Sequence, residues 1–282
     1  MLKTVSFVNK PKVIMVKSVG GLIADFADDV VSKESNTLFL CAGNTGLGYG
    51  GRNLQDMELT YLEDTCKKND NIVCIIRGCH DNPMYFNEET YKENFRGLYD
   101  YLQHVYFLED LTCVKTSKGN ILCIGGGVDP TQPEDVMYTD PMLAHKYGVA
   151  TNTWFDTKIP LYDLRSQKET YKGEDGLDYE VETNDTRRWL LEQNFSIVLS
   201  FMPMGAIPGY PMSKLPEKIY DDAVHSQGVL SMIYSILKPQ VKSWYFNNLE
   251  SDFVCKDIQF EGATFIPLCT GYANHFGTKR IP

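Results

Sequence analysis

The sequence predicts a mixed α/β fold in two halves, each with its own strands and helices. Three observations lead there. The first eighty residues alternate apolar strands with helical stripes. After Asp81 the pattern changes to short, closely spaced strands joined by a turn. Regular structure returns from Asp185 with a second strand and helix series. A chain of 282 residues fits one such domain.

The elements follow in order. Val13 to Val16 is a short apolar run, the mark of a buried strand. Leu22, Ile23, Phe26, Ala27, Val30 and Val31 recur at helical spacing. Thr37 to Cys41 reads as the second strand. Leu54, Met57, Tyr61, Leu62 and Thr65 mark one face of a second helix, and Asn71 to Ile76 is the third strand. This βαβαβ order requires right-handed crossovers and a parallel portion of sheet. Val105 to Leu108, Leu111 to Thr116 and Asn120 to Ile124 are the short strands, with Lys118-Gly119-Asn120 as a hairpin turn. Gly125-Gly126-Gly127 closes the last of them.

From 128 to 183 the periodicity weakens and Pro, Gly, Tyr and charge accumulate, so this stretch is expected to hold short helices or a surface insertion. Asp185 to Gln193 then reads as a helix and Phe195 to Ser200 as a strand. Ala223, Val224, Gln227, Leu230, Ile233 and Leu237 form a helix stripe. Ser243 to Phe246, Phe253 to Phe260 and Ala263 to Leu268 complete a second sheet.

Composition narrows the function classes. Hydrophobic content of 43% is ordinary for a globular protein. No apolar run approaches the roughly 18 residues of a membrane span, and the N-terminus lacks a signal-peptide core. The net charge of −10 and scattered Lys and Arg make nucleic acid an improbable partner. Eight cysteines show no CxxC pairing; six of them, Cys41, Cys74, Cys113, Cys123, Cys255 and Cys269, lie in strand-like runs. Free buried thiols in a reducing, cytoplasmic setting are expected.

Five motifs follow apolar strands: Lys17-Ser18-Val19-Gly20-Gly21, Gly43-Asn44, Arg77-Gly78-Cys79-His80-Asp81, Ser200-Phe201-Met202-Pro203 and Tyr245-Phe246-Asn247-Asn248-Leu249-Glu250. In order and setting, from about Lys12 to Phe265, this series resembles the calcineurin-like metallophosphoesterases, whose motifs read GDxHG, GD, GNHD, a strand ending in His, and GHxH. The resemblance implies a four-layer αββα sandwich, two mixed β-sheets facing each other with helices outside, and, in an active member, two cations about 3.5–4 Å apart that clamp a phosphate.

The ligands themselves are missing. The family's Asp and His fall on Ser18 and Gly20, its bridging Asp on Asn44 and its Asn on Cys79. Its next His falls on Phe201, and its last two on Asn248 and Glu250. The phosphate-contacting His80 and its partner Asp81 are retained. Gly and Phe offer no donor, and metal affinity needs deprotonated ligands. The expectation is therefore no metal, no cofactor and no catalytic residues, with these nine positions as vestiges of a site.

The resemblance implies a pseudoenzyme that acts as a structural or interaction component of a larger assembly, by protein partners or self-assembly. A viral particle would suit. Superfamily members in retromer and in replicative DNA polymerases use the sandwich in this way. Two alternatives stay open. One is a phosphoesterase with at most one metal, held by His80, Asp81 and Glu250 with Cys79. The other is a phosphate- or nucleotide-binding module using Arg52, Arg77 and His80 as anion contacts, against the plainer reading of Arg52 and Arg77 as solvated or ion-paired side chains. Cys79 beside His80 also fits a nucleophile with its base, or more plainly a small buried hydrophobe. The expected partner surfaces are 128–183, with its aromatic residues, and the Gly-rich tail 271–277, unless that tail simply frays.

Overall fold

The computed structural model describes residues 2–48, 52–127, 158–205, 207, 217–247, 256–269 and 276–282. Five strands build the first sheet: β2 (Lys12–Val16), β3 (Thr37–Cys41), β4 (Ile72–Ile76), β5 (Val105–Leu108) and β14 (Thr278–Arg280), in the order β14-β2-β3-β4-β5. β2 to β5 pair in parallel and β14 lies antiparallel on β2. Seven strands build the second: β1 (Lys3–Phe7), β6 (Thr112–Thr116), β7 (Gly119–Ile124), β10 (Phe195–Ser200), β11 (Ser243–Asn247), β12 (Ile258–Phe260) and β13 (Ala263–Leu268). Their order is β1-β6-β7-β10-β11-β13-β12.

The layering follows from period-two alternation in the first sheet. Val13, Met15, Leu38, Leu40, Cys74 and Ile76 join the core shared with the second sheet. The intervening Ile14, Val16, Phe39, Cys41, Val73 and Ile75 pack outward under helices. Those helices are α1 (Ile23–Asp29), α2 (Arg52–Lys68), α3 (Glu88–Asn94) and α4 (Arg96–Tyr101). On the far side, α5 (Asp185–Glu192) and α6 (Glu217–Leu237) cover the second sheet through Leu190, Val229, Leu230 and Ile233. This is the αββα sandwich.

Several expectations need correction. On α2, Leu62 and Thr65 are buried as expected, but Leu54, Met57 and Tyr61 are 59%, 69% and 45% exposed. The inward face instead carries Gln55, Leu59 and Glu63. Its polar members are there to bond backbone. The Glu63 carboxylate accepts the N–H groups of His104 (2.8 Å) and Val105 (3.1 Å). Gln55 accepts from Gly48 N–H (2.6 Å) and donates to the Gly46 carbonyl (3.0 Å), holding the loop after β3. Val224, placed on the α6 stripe, is exposed.

After the tail, Thr278–Arg280 form the sheet strand β14. Phe276 is buried against Phe26, and Lys17 N–H donates to the Gly277 carbonyl at 3.0 Å; 271–275 lie outside the described residues. β1, α3, α4 and β14 add to the elements expected from periodicity. The expected strand Phe253–Phe260 is β12 only from Ile258; Lys256 and Asp257 precede it outside any strand, and 253–255 lie outside the described residues.

Of the segment 128–183, residues 128–157, including Trp154 and Phe155, lie outside the described residues. The described part holds no helix but a hairpin, β8 (Lys168–Lys172) with β9 (Asp178–Glu182), which joins neither large sheet. Ile159 and Leu164 are buried and Tyr162 packs on the inter-sheet core, anchoring the segment. Six cysteines, Cys41, Cys66, Cys74, Cys79, Cys113 and Cys123, are free and buried. Burial pushes the thiols of Cys41, Cys66, Cys74 and Cys123 well up, so they remain neutral. Cys269 is disulfide-bonded, against the expectation of a free thiol.

Candidate functional site

Parallel strands deliver their C-terminal loops to one end of the sandwich. Ser18 and Gly20 follow β2, Asn44 follows β3, Cys79, His80 and Asp81 follow β4, and Phe201 follows β10. Asn248 and Glu250, after β11, lie outside the described residues.

The loops hold one another. Ser18 Oγ donates to the Asn44 carbonyl (3.1 Å), and Gly20 N–H donates to the same oxygen (2.7 Å). Asn44 adopts a left-handed φ of 51°, which Asn tolerates. Its side-chain Oδ1 accepts from His80 N–H (3.0 Å) and from Cys79 Sγ (3.5 Å). Gly78 makes this approach possible. A Cβ there would stand 2.2 Å from Asn44 N and 2.3 Å from its Oδ1. Cys79 is 1% exposed, which fits the small buried hydrophobe and not an accessible nucleophile.

Asp81 is fully buried. One carboxylate oxygen accepts from Gly46 N–H (2.9 Å) and Leu47 N–H (3.2 Å), the other from Gly78 N–H (2.8 Å). Burial holds its carboxyl above the ordinary range, against the opposing pull of the three N–H donors and His80. The group ties the loops after β3 and β4 together.

Phe201 stands where a family ligand would be. It is completely buried in the inter-sheet core. A Cβ on Gly43 would meet its Cδ2 at 2.9 Å, and a Cβ on Gly127 its Cδ1 at 2.9 Å. Two glycines on separate loops thus receive opposite edges of the ring. Behind it, Ser200 Oγ donates to the Met202 carbonyl (2.7 Å) and accepts from Trp244 Nε1 (2.8 Å).

Arg77 and Arg52 are each bonded within the protein, the alternative to anion binding. Arg77 is 4% exposed, and its Nη2 donates to Asp110 (2.6 Å) and to the Lys158 carbonyl (3.3 Å). A guanidinium taken out of water needs its counter-charge at hand, so Arg77 is neutralised from within. Arg52 heads α2 on the surface, donating to the Asn94 carbonyl (3.2 Å) and lying 5.3 Å over the Phe95 ring. His80 is half-buried. Nothing local in the sequence marks Asp110, just past the next strand and 33 residues on, as an arginine's partner.

Two cations do not fit these residues. The donors of Asn44 and Asp81 are committed to the protein, and Gly20 and Phe201 have none. Among the described residues no three His, Cys, Asp or Glu side chains group as a metal site. Asn247 is wholly buried with neither amide atom hydrogen-bonded, and Thr45 Oγ1 is likewise unpaired. These are neutral oxygens, weak substitutes for carboxylate and imidazole.

The family model of calcineurin-like phosphoesterases matches residues 21–203 of the 282. Among solved structures, a cold-active protein-tyrosine phosphatase of the psychrophile Shewanella sp. is 10% identical over 94% of this chain and 73% of its own, with a TM-score of 0.35. Another structure of a cold-active protein tyrosine phosphatase is 11% identical over 94% and 71%, with a TM-score of 0.31. Both are too distant to bear on the chemistry here. No curated protein matches the sequence.

Proposed function

This chain belongs to the calcineurin-like phosphoesterase family, and from that premise we propose that it is a catalytically inactive member serving as a structural or protein-interaction component of a larger assembly. The observation that carries the reading is Phe201, fully buried between Gly43 and Gly127 at the point where the strand ends converge. A hydrolytic crevice must admit a phosphate and water. Here an aromatic ring fills the space, and the polar groups around it bond one another.

The geometry favours neither rival. A one-metal site would draw on Asp81, whose two oxygens already hold three N–H groups. A phosphate pocket would draw on Arg77, which Asp110 neutralises. The chemistry left to such a protein is recognition. We place it in the cytoplasm, or in a particle assembled there, on the strength of six free buried thiols, with Cys269 as the exception. Among the described residues no helix is long and apolar enough to cross a membrane.

The test is hydrolysis of a generic aryl phosphate with and without added manganese. Rates at the no-protein background are expected in both. Turnover that tracks the chain through purification and disappears in His80→Ala would overturn the reading.

A further inference from the structure

We propose that the hairpin β8–β9 is a docking arm that captures, as a third strand beside β8, an extended segment of a different protein carrying a Lys or Arg two residues from an apolar side chain. The proposal rests on the chain being an interaction component and names the partner's chemistry.

A two-stranded ribbon standing alone is marginal in water. This one pairs with no third strand among the described residues, and β8 is exposed along its whole length. Its two faces differ. The register pairs Tyr171 with Tyr179 and Glu169 with Val181, which puts these four on one face. The two tyrosine rings stack at 5.7 Å yet are 54% and 41% exposed, and Val181 is 41% exposed. The opposite face carries the Lys168–Glu180 ion pair at 2.9 Å. An amphipathic ribbon with its apolar face in water is half of an interface.

The base of the ribbon is anchored, so it presents this face in a set place. Glu182 accepts from Gln167 N–H (2.7 Å) and pairs with Arg187 of α5 (3.0 Å). Its outer edge is also prepared. Gly173 N–H to the Leu177 carbonyl (2.8 Å) and Thr183 N–H to the Gln167 carbonyl (2.6 Å) mark the hydrogen-bonded pairs. Antiparallel alternation then turns the N–H and C=O groups of Lys168, Thr170 and Lys172 away from β9. An incoming strand would bond these groups and lay alternate side chains on the tyrosine face.

Charge selects the occupant. Between positions 168 and 182 there are six carboxylates and two lysines, a net of −4 (2 − 6). Glu169 sits on the apolar face and has no ion-pair partner among the described residues. A second copy of a chain carrying −10 is repelled, as are nucleic acid and anionic lipid. A cation opposite Glu169 and an apolar residue opposite Tyr171, two apart on the incoming strand, complete the face.

The experiment uses the full chain and labelled peptides of about ten residues, a length matched to a single strand. One repeats Lys-Thr-Val-Thr, one replaces Lys by Glu, and one has a central proline. Fluorescence anisotropy and amide hydrogen exchange are the readouts. The Lys peptide is expected to bind saturably and slow exchange across 168–172. The Glu and Pro peptides are expected not to, and Glu169→Lys is expected to weaken binding about tenfold, with the fold intact by circular dichroism. No binding, equal binding of Lys and Glu peptides, or binding unchanged in Tyr171→Ser/Tyr179→Ser would overturn the proposal. So would dimerisation by sedimentation that the double variant abolishes, which would make the occupant a second copy. Aryl phosphate turnover, by contrast, would sink the inactive-scaffold reading while leaving peptide capture to be judged on its own.

Discussion

Replacing Phe201 with Ala removes a ring that contacts glycine backbone on both edges. Its exposure is 0%, and its neighbours Gly43 and Gly127 hold left-handed φ angles of 82° and 137°. A phenylalanine buries roughly 150–250 Å². At about 25 cal/mol per Å² the transfer contribution is about 4–6 kcal/mol as an upper bound. Ala keeps one methyl group, which brings the expected loss into the range of about 3–5 kcal/mol seen for Phe truncations. The upper half of that range is expected, because turns in these conformations cannot close over the space without leaving their φ wells. Urea unfolding should show a lower midpoint at unchanged slope, and the melting temperature should fall by roughly 10 °C. The logic also predicts the sign. In a working crevice, replacing a functional residue commonly stabilises the fold. A loss below about 0.5 kcal/mol, the size of an ordinary surface change, would refute the idea that the ring fills the former site.

Gly78→Ala places a methyl 2.2 Å from Asn44 N and is expected to cost about 3 kcal/mol or more, read by thermal melting. Asn44→Asp, which restores one family ligand type, is expected to leave aryl phosphate hydrolysis at background with manganese. Gain of activity there would mean that substitute ligands stand nearby. Glu88 is held down to about 2 by hydrogen bonds from Lys3 and then Lys92. Its contribution to stability is present above the ordinary value of 4.5 and is lost as pH falls from there through about 2. Because its side chain is 41% exposed, Glu88→Gln should cost under about 1 kcal/mol at pH 7 and flatten the acid limb of a stability–pH curve over that window.

The residue types at the strand-end positions are legible directly in the sequence. Gly20 and Phe201 have no donor atom in any fold. The order of apolar strands and helix stripes was enough to bring their loops to one end of a sandwich. Strand cores were legible for the same local reason: Thr37–Cys41 and Phe195–Ser200 are short apolar runs that no exposed position could sustain.

What the sequence by itself determined is therefore the strand framework and the residue types at Ser18, Gly20, Asn44 and Phe201, of which Gly20 and Phe201 carry no donor atom. Only the tertiary structure decided which polar groups are spent and which surfaces are open. The inward face of α2 carries Gln55 and Glu63 because backbone N–H groups on distant loops need acceptors once buried, and hydrophobic periodicity cannot see such a need. Arg77 could read as an anion contact or an ion-paired side chain, and the fold pairs it with Asp110, because desolvating a guanidinium demands a counter-ion and one is supplied from 33 residues away. Thr278–Arg280 becomes a strand because β2 offers it an open edge. The tyrosines at 171 and 179 face water because their hairpin joins no other strand among the described residues.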